Sequence, residues 1–374
     1  TYSMEKVKRG AWVLMSLALV AAAGSCSGSA SSGDVQADTL LLTESEVAVP
    51  YDVLRMPYAL TTDGQRLVVA NSPQASTLID VYSLTGDSVT SGLRVGQGPG
   101  ERQMVEGLCY DATASAVQIR TGAADAVDML RGIDGSGLEI DRKIVFDAAA
   151  CGSDTVAPAS FALRMADGHV VLGNATSDGL LAILRPDGSL ERYAAQYPDI
   201  SGFGDMPQWG VFNFLRPNGG VSPDGRHFAA LFGSNDMICF GSLDGDTVAV
   251  KVNYGEKPGG IKWVTRDGYG TFDIAPERKV HFAGNPVLTD GHVYVIYSGM
   301  NYADHSACFW KKNDGDESLS TDVRVYDFDG NLTRVYRLPM KIGGFTVTPD
   351  DSDMYAIVDS ETEGYRIFRF SLPD

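Results

Sequence analysis

The stretch VRVYDFDGNL (323–332) sets two aspartates, a glycine and an asparagine directly after an alternating apolar run. Clustered carboxylate and amide oxygens are the donors that calcium takes. An EF-hand loop, however, needs oxygen ligands at alternate positions, glycine at the sixth and a bidentate glutamate at the twelfth. Counted from Asp327, glycine falls at the fourth position and Leu338 at the twelfth. The same Asp-Gly pair recurs along the chain without the neighbouring aspartates, so the stretch reads as a turn.

Other residue types invite chemistry and mostly decline it. His169, His227 and His292 each stand just after an Asp-Gly pair, at nearly one position of a repeat, so they are expected on separate units and not around one metal ion. No HExxH spacing occurs, and no GxSxG. GQGPGE (96–101) lacks the Lys-Ser/Thr of a phosphate loop and reads as a connector in which glycine and proline set the bend. Asn71, Asn174, Asn301 and Asp359 fall where a strand ends and a loop begins; they read first as plain loop residues, and alternatively as oxygens facing a common axis that would hold one calcium ion in the way lactonase-like propellers do. Three long connections, 196–220, 259–286 and 298–321, carry Trp209, Trp263, Tyr302 and Trp310. Loops of that length in a compact domain are uncommon unless they serve function or are disordered. Their aromatics would stack on a sugar or peptide, with Asp304, His305 and Arg266 as polar contacts, or else pack the loops onto the body beneath. No catalytic residue is assigned, and no cofactor is expected beyond the calcium just named.

The elements that must position these residues announce themselves by their turns. LTTDGQRLVVAN (60–71), RMADGHVVLGN (164–174), VSPDGRHFAALF (221–232), VLTDGHVYVIYSG (287–299) and VTPDDSDMYAIV (347–358) each place a turn before a short apolar strand, with CYDATASAVQIR (109–120) as a degenerate copy. Their leading aspartates, at 63, 111, 167, 224, 290 and 350, are 48 to 66 residues apart. A second turn follows each first one, for example LRPDGSL (184–190) and GSLDGDTV (241–248). Two hairpins per unit and six units predict an all-β, six-bladed β-propeller. The sixth unit ends after its third strand, and TLLLTESEVAV (39–49) stands unpaired ahead of the first. Adding that strand to the last blade would close the ring and remove an exposed edge.

The flanks and composition bound the setting. MEKVKRG (4–10) followed by the uncharged AWVLMSLALVAAA (11–23) has the form of a secretory leader, and residues 1–25 are read as a signal peptide, with 1–3 lying ahead of Met4. Ala23, Gly24 and Ser25 lead into Cys26, an order that resembles the lipobox of bacterial lipoproteins, so Cys26 is the expected lipidation site. Residues 26–38 then form a Ser/Gly tether, and 39–374 the propeller. Cys109, Cys151, Cys239 and Cys308 permit two disulfides in three connectivities, or four free thiols. A net charge of −18 repels phosphate backbones and argues against nucleic acid as a partner.

VGQGPGE (95–101), VYVIYSGMN (293–301) and VRVYDFDGNLTRVYRL (323–338) resemble the TolB-like six-bladed propeller lipoproteins of Bacteroidetes, with a blade rhythm similar to NHL repeats. The resemblance covers roughly residues 40–374 and departs after Glu101, where an aromatic is usual, and in the second unit. It implies a lipid-anchored outer-membrane propeller facing the periplasm or the cell surface, and it implies no particular chemistry. The expected function is a non-catalytic binding or interaction module for a carbohydrate, peptide or envelope protein. A calcium-assisted hydrolase of the lactonase kind and a subunit of an envelope complex are the alternatives.

Overall fold

The computed structural model describes residues 37–374 apart from 44–45, 51, 99, 122–125, 146–158, 177–178, 199–205, 208–209, 212–213, 234, 257–258, 267–268, 310, 312–320, 361 and 374. Asp-Gly turns and apolar strands alternate through this length, and the strands pair as six antiparallel meanders. The first blade runs Pro57–Thr62, Arg66–Asn71, Thr77–Ser83 and Ser88–Arg94, from the ring centre outward. The second begins at Gly107–Asp111, the third at Ala162–Arg164 and the fourth at Asn218–Val221, each followed by three more strands. The degenerate second unit is therefore a complete blade. Ser115 takes the left-handed conformation there (φ 48°) that glycine takes in the first, third and fourth turns, which is why its turn was the hardest to read.

The last two blades close the ring. Gly344–Val347, Asp353–Ser360 and Gly364–Ser371 make three strands of blade six, and Glu46–Val49 pairs antiparallel to the third as its outer strand. The N-terminal segment also does more than predicted. Thr39–Leu41 lies parallel to Leu332–Leu338, on the outer edge of blade five, so one extended segment covers the edges of two neighbouring blades. Two open edges, each a row of unpaired backbone groups, are removed together.

Second strands lie between neighbouring blades and are apolar on both faces, which explains why their period-2 alternation was only partial. Leu67, Val68, Val69 and Ala70 are all fully buried, as are Val170, Val171 and Leu172. Each larger side chain among them contributes about 1.5–3 kcal/mol on burial. Outer strands such as Thr247–Tyr254 keep the polar alternation of a half-wet surface.

Inner strands approach so closely that side chains are excluded. A Cβ on Gly220 would meet the Pro286 carbonyl at 2.4 Å, and one on Gly344 the Tyr58 carbonyl at 2.8 Å. Because all first strands start at one end of the ring, the Asp-Gly turns gather at the other. They interlock there: Ala112 N–H donates to the Pro223 carbonyl (2.8 Å) and Ala166 N–H to that of Gly225 (2.9 Å). Each turn is set by its own aspartate. Asp63 Oδ1 accepts from the Gln65 and Arg66 amides (2.8 and 2.6 Å), Asp167 Oδ1 from His169 (3.0 Å) and Asp224 Oδ1 from Arg226 (2.9 Å).

Asp327 behaves the same way. Its Oδ1 accepts from the Asn331 amide and its Oδ2 from the Asn331 side chain, both at 2.8 Å. The turn docks on blade four, where Asn253 Nδ2 donates to the Gly330 carbonyl (2.8 Å) and Phe328 stacks face to face on His227 at 3.7 Å. Both carboxylate oxygens are committed to the turn, and the segment joins two blades.

Candidate site at the loop-bearing mouth of the channel

The end of the ring opposite the Asp-Gly turns carries the long connections, and there the first strands begin and the second strands end. Polar side chains from four blades converge at that mouth. Arg120 closes the second strand of blade two, AVQIR, whose apolar run buries it up to the arginine. Its Nη2 donates to the Glu106 carbonyl (3.0 Å) and to Asn285 Oδ1 of blade five (3.3 Å), and its Nη1 to Asn218 Oδ1 of blade four (3.3 Å). The Glu106 carboxylate lies 3.5 Å from Arg120 Nε. Asn285 Nδ2 returns a bond to the Glu106 carbonyl (3.3 Å), and Asn218 Nδ2 donates to that of Gly284 (2.9 Å). Burial lowers the Arg120 pKa, opposed by Glu106 and reinforced by the nearby charge of Arg216. Tyr58, at the start of blade one, is pushed up to about 12 by burial and then by the Glu106 charge, so its phenol keeps its proton. Tyr58, Glu106, Arg120 and Asn218 line an open cleft of about 290 Å³ with Met104, Ser160 and the exposed Arg216. At Tyr58 the cleft adjoins the narrow channel, a void of about 70 Å³ between the inner strands.

Of the residues singled out in the sequence, Asn71, Asn301, Tyr302, His305 and Asp359 lie on the same end of the ring but do not form one cluster. Asn71 is fully buried and donates to Asp80 Oδ2 (2.7 Å), which also meets Arg55 (3.6 Å); it ties together a tight connection within blade one. Asn301 caps the helix Tyr302–Phe309: its Oδ1 accepts from the Asp304 amide (2.8 Å) and its Nδ2 donates to the Asp304 carboxylate (2.7 Å). Tyr302 is exposed on that helix. His305 is half-buried, and burial with the Lys341 charge lowers its pKa. Lys341 closes the helix from the other end, donating to the Cys308 (2.7 Å) and Lys311 (2.9 Å) carbonyls. The half-buried Asp359 acts on the Lys341 ammonium from blade six.

Trp263 belongs to a hairpin, Ile261–Arg266 paired with Tyr269–Ile274, that the long 259–286 connection forms. It meets Phe272 edge to face at 5.3 Å and lies over Gly270, where a Cβ would strike its ring at 1.9 Å. Asn174, expected at a strand end, lies within the strand Val170–Thr176, two residues before its last. Trp209, Trp310, Cys26 and Cys151 lie outside the described residues. Cys109, Cys239 and Cys308 are free thiols, and burial pushes Cys239 up to about 12. In GQGPGE the Glu101 carboxylate folds back to accept from the Gly98 amide (2.9 Å), so the loop's own anion stands where a phosphate would. His169 bridges Asp167 (2.6 Å) and Glu191 (2.9 Å), and His292 meets Asp351 (2.8 Å), each within its own part of the ring. Among the described residues no three His, Cys, Asp or Glu side chains are grouped to hold a metal ion.

Arg120, Glu106, Asn218, Asn285, Arg216 and Tyr58 were missed in the sequence. One signal was present: Arg120 ends a second strand just as Asn71 and Asn301 do, so aligning the degenerate unit with the others would have raised it.

No known protein family matches this chain. No curated protein matches it either. Solved structures similar to it include a Bacteroides fragilis protein assigned as exported (12% identity, 90% of this chain and 100% of that one, TM-score 0.49). Another is the calcium-binding protein regucalcin of Agrobacterium tumefaciens (14% identity, 89% and 95%, TM-score 0.45). The β-propeller domain of Cps50 (Swd1) of Myceliophteria thermophila is a third (10% identity, 88% and 100%, TM-score 0.46).

Proposed function

We propose that this chain is an exported, lipid-tethered propeller that binds a ligand at the loop-bearing mouth of its channel without transforming it. The observation that carries the reading is the convergence of Tyr58, Glu106, Arg120 and Asn218 from three blades on one cleft, with Asn285 of a fourth blade bonded to Arg120. A rigid ring that presents loops and polar groups at a common mouth recognises a ligand at little entropic cost to itself. A small molecule, or the end of a glycan or peptide chain, fits an opening of this size. The export and tether rest on residues 4–26, and Cys26→Ser is expected to abolish incorporation of a fatty-acid label into the full chain. Among the described residues no helix is long and apolar enough to cross a membrane.

The test is a thermal-shift screen of glycans, peptides and small acids, repeated with Met104→Trp. Met104 is exposed on the cleft wall, so the indole fills the mouth without entering the core. A ligand that stabilises the folded state raises the melting temperature by mass action. The variant should lose that shift, and a ligand whose shift survives Met104→Trp sends the site elsewhere. EDTA is expected to leave the melting temperature unchanged. A drop of several degrees restored by calcium would place the calcium-assisted hydrolase ahead.

A further inference from the structure

We propose that the mouth recognises the carboxylate of a small monoanion, gripped between a fixed, buried arginine, Arg120, and an exposed one, Arg216. The inference rests on the binding site proposed above and adds the chemistry of its occupant.

The charge balance of the cleft points to this class. Its lining holds two guanidinium groups and one carboxylate, Glu106, and so carries one positive charge in a chain whose net charge is −18. Such a local surplus concentrates anions where the rest of the surface repels them. A single negative charge neutralises it. A dianionic phosphate ester would leave an uncompensated charge beside Glu106, and several phosphates would be repelled outright.

Geometry points the same way. Arg120 is held from three blades, so its position is set before any ligand arrives. Arg216 is exposed and makes no ion pair or hydrogen bond with a described residue, although its charge already bears on Arg120 across the cleft. Two like charges facing one another are relieved when an anion comes between them. The unpaired guanidinium fork of Arg216 can grip a carboxylate through two parallel hydrogen bonds, while Arg120, with both Nη2 hydrogens already taken, adds its charge and one Nη1 hydrogen. Tyr58 keeps its phenolic proton and lines the same cleft with Ser160 and Asn218, a set suited to hydroxyl or amide substituents on the acid. The opening of about 290 Å³ limits the part it encloses to a single ring or a short chain.

Calorimetric titration of the full chain tests the proposal. The probes are D-glucuronate, D-gluconate and N-acetylalanine, each beside its methyl ester, with glucose 6-phosphate as the dianion. At least one acid is expected to bind, with its ester and the phosphate weaker by roughly tenfold or more, the loss of a charge-assisted pair. Arg216→Ala should weaken that acid by a similar factor while the melting temperature holds, and Arg216→Lys should recover only part. An ester that binds as well as its acid overturns the proposal, and so does a phosphate that binds tighter. No acid binding up to about 10 mM also overturns it. A neutral glycan that binds, is excluded by Met104→Trp and ignores Arg216→Ala keeps the mouth as the site while removing the anion.

Discussion

Arg120→Met tests whether the arginine is the strut that holds three blades together at the mouth. Methionine keeps most of the stem volume and removes the guanidinium, so packing changes little and the polar bonds go. At 3.5 Å and an effective dielectric of about 20, the attraction between Arg120 and Glu106 is about 5 kcal/mol. The Glu106 side chain is 23% exposed and the Arg120 side chain 13%, so solvent screening reduces this to about 2 kcal/mol. The variant also strands the Asn218 and Asn285 carbonyl oxygens and leaves the Glu106 carboxylate half-buried without its cation. Together these place the loss at about 2–4 kcal/mol. In a domain of this size that is a fall of the order of 5 °C in melting temperature, read by circular dichroism or scanning fluorimetry. The double variant Arg120→Met/Glu106→Gln removes the orphaned charge and should recover about half of the loss. Strict additivity of the two single losses, or a loss below about 0.5 kcal/mol for Arg120→Met, would refute the reasoning, because it would mean the pair carries no coupling.

Three further outcomes follow from particular contacts. Burial lowers the His227 pKa from 6.5, so its contribution is full above that value and is lost as pH falls through the lower folded-state value; His227→Phe, which retains the stack on Phe328, should flatten the fall of melting temperature in that window. Gly219→Ala places a Cβ 2.7 Å from the Phe161 ring and should cost about 1–3 kcal/mol in a denaturant melt, with Phe161→Leu as a second change restoring part of it. Lys341→Met removes the two bonds that close the helix Tyr302–Phe309, and should speed proteolytic cleavage there while costing about 1–2 kcal/mol or less of global stability.

Local chemistry made the architecture readable. An Asp-Gly turn is built by its own residues: Asp63, Asp167, Asp224 and Asp327 each bond amides two to four positions on, so the turns showed in the sequence and their spacing counted the blades. Where another residue takes the glycine's place, as Ser115 does in blade two, the signal faded although the blade did not. The need to close the ring was likewise legible from one missing strand and one spare segment, since an open edge is costly wherever it stands. That the spare segment also covers blade five was not, because a parallel pairing between Thr39–Leu41 and Leu332–Leu338 leaves no local mark.

The candidate site is the opposite case. Arg120 and Asn285 are 165 residues apart, and Arg120 and Asn218 are 98 apart. Nothing in either neighbourhood reveals the other, because only the curvature of the ring brings their strand ends to one mouth. Asn71 and Asn301 occupy similar places in the sequence, yet one is tied to Asp80 and the other caps a helix. Residue type and repeat position therefore determined which end of the propeller would carry polar groups. Which of those groups meet across the axis, and which are absorbed by their own loops, was decided by tertiary packing alone.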